Sequence, residues 1–198
     1  MRRTETSPLF SVDVLAVRAV HFTEKGQSYI SLQNNTEYNI QLSNNHSTKC
    51  QVDVSVDGLS IGEWMLWPHS TIILDRRFMF VSESSDRARR SGVTQGNSNN
   101  GLITATFKPA KKVMCADCGG IVTARLETSS PDAVTTSRSR MYKQLPHTPG
   151  VTVSGGVSTQ EFDRVDPLLD NEIDWSLVET VSVRLVVGPR VFDNGMVD

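Results

Sequence analysis

The stretch Cys50–Gly58, CQVDVSVDG, decides the fold. Cys50, Val52, Val54 and Val56 alternate with Gln51, Asp53 and Ser55, so every second side chain falls on one face. That period of two is the signature of a half-buried antiparallel strand. Asp57-Gly58 follows at once, and Asp-Gly supplies the positive φ angles of a tight hairpin turn. The run Leu59 to Trp67 then reads as the returning strand, with Gly62 as a bulge, and Pro68 ends it because proline cannot donate to a ladder. Cys50 alternates as a core residue.

The same period recurs on both sides. Tyr38, Ile40 and Leu42 alternate with polar residues in TEYNIQLSN, and Val181, Val183, Leu185 and Val187 share one face of VETVSVRLVV, Val178 to Val187. Shorter strand candidates are Thr71 to Leu74, Phe78 to Val81, Leu102 to Phe107 (closed by Pro109), Ile121 to Leu126 and Phe162 to Val165. Ser11 to Phe22 fits neither period, although its valines favour a strand. Ser82 to Ser91 holds a turn or two of helix, with Ser84 or Ser85 as N-cap and Gly92 as the stop. Gly92 to Gly101 and Thr128 to Gly150 read as loops. The expected fold is therefore all-β: an antiparallel β-sandwich, a single jelly roll, with one or two long loop insertions. Residues 1–26 are read as an N-terminal arm and first strand, and 27–198 as one sandwich domain with an exposed insertion at about 109–150.

Bulk properties exclude several functions. A chain of 198 residues can bury a full core without metal or disulfide support. A net charge of -2 gives no global basic field, so direct nucleic-acid binding is not expected. No apolar run approaches the roughly 20 residues of a membrane span, and the N-terminus lacks the apolar core of a signal peptide. Three cysteines cannot form a closed disulfide set and point to a reducing cytoplasm.

Motifs with chemistry are few. Cys115-Ala-Asp-Cys118 on a Gly-rich turn is half of a zinc site, but Cys50 and the histidines offer no matching ligand spacing, so two free thiols on a loop is the preferred reading. His21, His46, His69 and His147 stand in no nucleophile or metal motif, and Gly119-Gly120 and Gly155-Gly156 lack the Lys-Ser/Thr that would follow in a phosphate loop. No catalytic residue, metal or cofactor is expected. The acidic run Glu161, Asp163, Asp166, Asp170, Glu172, Asp174 does not follow the spacing of a calcium loop. It faces, in sign, a basic cluster of Arg76, Arg77, Arg87, Arg89 and Arg90. Patches of opposite sign on one chain suit a head-to-tail subunit interface, for which Asp163, Asp166, Asp170 and Glu172 are the acidic candidates. Arginine suits such contacts because its planar fork binds carboxylate in two places. Trp64 and Trp67 sit three apart on a strand and so on opposite faces, one for the core and one exposed. An exposed Trp would serve as a sugar platform or interface anchor.

Three blocks carry a resemblance: Val56-Asp57-Gly58 with Gly62 and Trp64, Gly92-Val93-Thr94 with Gly101-Leu102-Ile103, and Gly150-Val151-Thr152 with Gly155-Gly156 and Phe162. With the closing VETVSVRLVV, they cover about three quarters of the chain and are moderately specific as a set. Together they resemble the penton, or vertex, single jelly-roll capsid proteins of large icosahedral double-stranded DNA viruses of algae and other protists. The segment Lys111 to Arg140 shows no such likeness. The resemblance implies a virion structural protein made in the host cytoplasm. It would form a homopentamer at the capsid vertices, beside neighbouring major and minor capsid proteins. The alternative is a carbohydrate- or receptor-binding β-sandwich module.

Overall fold

The computed structural model describes residues 8–112, 148–155 and 160–188. Its strands are β1 (Phe10–Ala16), β2 (Val20–Glu24), β3 (Gln27–Leu32), β4 (Thr36–Asn44), β5 (Cys50–Val56), β6 (Leu59–Leu66), β7 (Ser70–Ser82), β8 (Leu102–Pro109), β9 (Thr148–Ser154) and β10 (Glu179–Val187). One short helix, α1 (Asp86–Arg90), and a 3-10 turn at Trp175–Leu177 complete them.

The hairpin read from Cys50–Gly58 forms as expected. Asp57 and Gly58 take φ 53 and 80, and β5 pairs antiparallel with β6. The register slips by one between Val54 and Ser55, so Val54 faces Gly62 while Ser55 faces Ser60. This is a bulge at the glycine, whose missing Cβ leaves room for the Trp64 ring.

Two sheets share one core. The first runs β1-β4-β7-β9, all antiparallel. The second runs β2-β3-β10-β8-β5-β6, antiparallel except for the parallel β3–β10 pair. Strand β9 belongs to both, because Gly150–Ser154 pair with β7 while Thr148 and Pro149 pair with β10. Inward residues of the two sheets meet in one cluster: Phe10, Tyr38, Ile40, Leu74 and Phe80 from the first, Ile30, Val52, Ile103, Phe107 and Leu185 from the second. The rings of Phe10 and Phe107 stack across it at 4.9 Å. Cys50 lies in the same core, and burial pushes its thiol up to about 12. The chain is therefore an all-β sandwich. The finer expectation of a single jelly roll is not confirmed by this strand order, which includes a parallel pair.

Several local expectations need correcting. Residues 10–24 form two strands rather than one, separated by a turn in which Arg18 takes φ 58. Thr71–Leu74 and Phe78–Val81 are two ends of a single strand, β7. Between them Asp75, Arg76 and Arg77 bulge opposite the lone Asn39, so the polar Asp-Arg-Arg interrupts the apolar pattern but not the strand. Phe162–Val165 is irregular chain, and Thr148–Gly150, assigned to a loop, starts β9. Ile121–Leu126 and most of the expected insertion lie outside the described residues. The helix forms where its caps place it: Ser85 Oγ accepts the Ala88 amide, and Gly92 follows with φ 75. Among the described residues no helix is long and apolar enough to cross a membrane.

Candidate functional site

The charged residues singled out above occupy three places on the sandwich. Helix α1 packs on the outer side of the first sheet. Its Ala88 is buried against Val81, Val151 and Val153, which point away from the main core. The helix therefore carries Arg87, Arg89 and Arg90 on that outer side. Arg87 donates to the Ser154 carbonyl at 3.4 Å, and Arg89 pairs with Asp86. Among the described residues Arg90 makes no ion pair. Arg77 joins the same side from the β7 bulge, where it takes φ 48 and lines an open concavity of about 430 Å³ with Leu15, Glu37 and Asp75. A non-glycine residue held at positive φ is uncommon and re-aims its side chain.

The acidic segment covers the opposite side. Leu168 and Ile173 pack with Ala110, Met65 and Val178 on the outer side of the second sheet. Three contacts tie this turn down: the Leu168 amide to Gln51 Oε1 at 2.9 Å, the Lys111 amide to the Glu172 carbonyl at 2.7 Å, and the Asp174 amide to the Pro109 carbonyl at 2.8 Å. Two of the acids hold the turn themselves: Glu172 accepts the Leu169 amide, and Asp174 caps the 3-10 turn by accepting the Ser176 amide. Asp170 gives its backbone carbonyl to the Trp175 indole at 3.2 Å. Asp163 and Asp166 are exposed on the approach to the turn.

Arg76 stands apart from the other arginines. Its guanidinium lies over the Trp64 ring, 5.3 Å from the centroid, and Phe162 meets the same ring edge-on at 6.2 Å. Beside them Gln160 donates to the Ile73 carbonyl and accepts the Asp75 amide, both at 2.7 Å, as a neighbouring strand would. The flank between β6 and β7 is thus closed by the first residues of the acidic segment, with Arg76 inside the same chain's contacts. Trp64 is the core tryptophan expected of its pair, at 8% exposure, and Trp67 the exposed one at 53%. Cys115 and Cys118 lie outside the described residues. Among the described residues no three His, Cys, Asp or Glu side chains gather to hold a metal.

The structure thus brings Arg77, Arg87, Arg89 and Arg90 to one outer side, places Asp170 and Glu172 on the other, and separates Arg76 from both. Each patch belongs to a folded element rather than a tail, so each presents its charges in a fixed arrangement. Two complementary patches on opposite sides of one body cannot neutralise each other within the chain, but they can do so between copies.

One half-buried acid escaped the sequence reading. Asp57 is both a turn residue and a clamp: its two carboxylate oxygens accept the amides of Gly101 and Thr152, each at 2.6 Å. Burial raises its carboxyl above the ordinary value, and the two amides and the charge of Arg184 offset part of that rise. The signal in sequence was Asp rather than Asn before Gly58, which turn chemistry alone does not require.

Comparison of the chain with protein-family models, with curated proteins and with solved structures finds no match.

Proposed function

We propose that this chain is a virion structural protein, a penton-like subunit that closes into a homopentamer at the vertices of an icosahedral capsid. The observation that carries the reading is the placement of the charges. The arginines of α1 and Arg77 stand on the outer side of one sheet, and the acidic turn stands on the outer side of the other. A contact between unlike surfaces repeated around an axis is heterologous, and it yields a ring where the rotation closes. The sequence blocks that resemble vertex proteins favour five copies over other closures. A subunit of this kind acts through rigidity and interfaces, and the shared two-sheet core supplies the rigidity. Assignment of the sandwich to the single jelly-roll class, contact with neighbouring capsid proteins and residence in the virion belong to the same proposal.

Light scattering on the purified chain at several salt concentrations tests it. The expected mass is about five times 21.9 kDa at low salt, falling as salt screens the interface. A mass of one chain at every salt concentration and at high protein concentration counts against self-assembly and, with it, against the vertex reading.

A further inference from the structure

Asn100-Gly101 closes the loop that leads from α1 into β8. In an unfolded chain such a pair is reactive: glycine has no side chain to shield its nitrogen, which attacks the carboxamide of the preceding asparagine. The sequence holds one other such pair, Asn194-Gly195, which lies outside the described residues. In the folded chain Asn100 is buried, at 4% exposure, and the groups the reaction needs are all held by other residues.

The leaving nitrogen, Asn100 Nδ2, donates to Glu83 Oε2 at 2.8 Å and to the Thr94 carbonyl at 2.9 Å, so the carboxamide cannot turn without losing both bonds. The attacking nitrogen keeps its proton, because the Gly101 amide donates it to Asp57 Oδ1 at 2.6 Å. The surrounding backbone is pinned as well. Arg184 Nη1 donates to the Asn100 carbonyl at 2.9 Å, and the Leu185 amide donates to the Gly101 carbonyl at 2.7 Å. Gly101, at φ 72, packs so tightly on the Leu185 carbonyl that there is no space even for a Cβ.

We propose that Asn100 is a latent modification site, a one-way switch that Asp57 and Glu83 keep locked and that is triggered only when this end of the sandwich opens. The step is succinimide formation. Gly101 N gives its proton to a base from solvent and bonds to Asn100 Cγ, the Cγ–Nδ2 bond breaks, and ammonia leaves. Water then opens one of the two imide bonds and leaves aspartate or isoaspartate in place of the asparagine. Both products oppose reclosure. The donor facing Glu83 Oε2 becomes a carboxylate, so two like charges meet where a hydrogen bond stood. Arg184 is not free to offset them, since its guanidinium is shared between the carbonyls of Asn100 and Ser98. Isoaspartate also adds one carbon to the main chain, which moves the Gly101 amide away from Asp57. The modification therefore frees the loop and undoes the hold of Asp57 on the start of β8. The inference is independent of ring assembly, since it uses neither the arginines nor the acids of the proposed interface.

The test incubates the full chain in mildly alkaline buffer, folded and in urea. Conversion at Asn100 is followed by peptide mapping with mass spectrometry, which separates this pair from Asn194-Gly195. Where reclosing outruns the chemistry, conversion tracks the population of the open form. Asn100 should convert at least about tenfold more slowly in the folded chain than in urea. Asp57→Ala and Glu83→Ala should each raise the folded-chain rate by about tenfold or more, the effect of weakening closure by one hydrogen bond to a charged group. Trp64→Ala weakens the core at the β6–β7 flank, away from the loop, and should raise the rate less. Equal rates in the folded chain and in urea overturn the lock, as does a Trp64→Ala rate that matches the Asp57→Ala rate. No conversion in urea overturns the site itself. For the switch, Asn100→Asp should unfold at lower denaturant than Asn100→Ala, because both lose the donor and only the first adds a charge beside Glu83. Equal stability of those two variants overturns the one-way release.

Discussion

The carboxylate of Asp57, at the tip of the β5–β6 hairpin, accepts the backbone amide of Thr152 on β9 at 2.6 Å, across 95 residues of sequence. Its other oxygen holds Gly101 at the start of β8, so one side chain ties together three segments that the chain visits far apart. Thr152 extends the tie, because its hydroxyl meets the buried Tyr38 hydroxyl at 2.6 Å and so reaches β4 in the first sheet. Replacing Asp57 with Ala strands two amide donors, and at about 1–3 kcal/mol for each unsatisfied group the chain should lose about 2–6 kcal/mol. Asp57→Asn should fall between, since its amide nitrogen cannot accept. Urea unfolding of the three proteins checks the order.

The pH dependence of that clamp has a definite sign. Burial raises the carboxyl above its ordinary 3.8, so the folded chain holds this proton more tightly than the unfolded chain. The stability contributed by the group is then complete below the unfolded value and declines as pH rises through the folded one. The difference in unfolding free energy between wild type and Asp57→Asn should therefore shrink from about pH 4 upward and level off once the carboxyl is fully ionised. A difference that grows over the same range would mean that the two amides, not burial, set the titration.

Gly101 sits where a side chain has nowhere to go. Its φ is 72, and a Cβ there would run into the Leu185 carbonyl, the group facing the Gly101 position across to β10. Backbone cannot swing aside as a side chain tip can. Gly101→Ala should cost about 1–3 kcal/mol through strain and overpacking. Gly92→Ala, also at positive φ but with open space around its Cβ position, serves as the comparison that isolates the backbone term. Thermal unfolding should rank Gly101→Ala below Gly92→Ala.

Legibility in the sequence followed the reach of each interaction. The β5–β6 hairpin and the caps of α1 were readable because neighbours in sequence determine them: the Asp57-Gly58 turn and the Ser85 cap act within a few residues. Strand β3 was missed because SYISL is short and its burial comes from β10, more than 150 residues away. Strand β9 was missed for a similar reason, since five of its residues pair with distant β7 and two with β10. The β7 bulge hid as a gap because Asp75, Arg76 and Arg77 are polar, and only the pairs on either side, Leu74 with Ile40 and Phe78 with Tyr38, show that the strand continues. For the candidate sites, the signs of the patches were readable but their sides were not. Arg76 had been grouped with the α1 arginines by sequence proximity, whereas Trp64 and Phe162 place it on the flank.

That flank makes its own prediction. Trp64 contributes both core burial and the platform for Arg76 and Phe162, so Trp64→Ala should cost about 3–5 kcal/mol. Arg76→Ala removes an exposed cation–π contact and should cost about 0.5–1 kcal/mol. The two losses should not add. In Trp64→Leu the effect of Arg76→Ala should nearly vanish, because leucine offers no ring to the guanidinium. A double-mutant cycle by denaturant unfolding measures the coupling, and full additivity would show that Arg76 gains nothing from the indole.

Assembly gives the sharpest use of the charge map. Arg90 on α1 and Asp166 on the acidic segment are both exposed and, among the described residues, neither is committed to an ion pair. Reversing either one leaves the fold's own contacts intact, unlike Arg87, which bonds the Ser154 carbonyl, or Glu172, which holds the Leu169 amide. If the two sides meet between copies, Arg90→Glu should place like charges together and shift the light-scattering mass toward one chain. Asp166→Arg should do the same. The double reversal restores opposite signs and should restore the larger mass, since rim charges act through their sign. Rescue separates a true contact from a general effect of net charge: Arg90→Glu changes the charge by -2 and Asp166→Arg by +2, so the double variant returns to the wild-type net charge of -2. A control pair, Arg90→Glu with Asp13→Arg, has that same net charge but lies off the acidic segment, and it should leave the mass low. If the control rescues as well, the effect belongs to overall charge, and the proposed contact between the two sides fails.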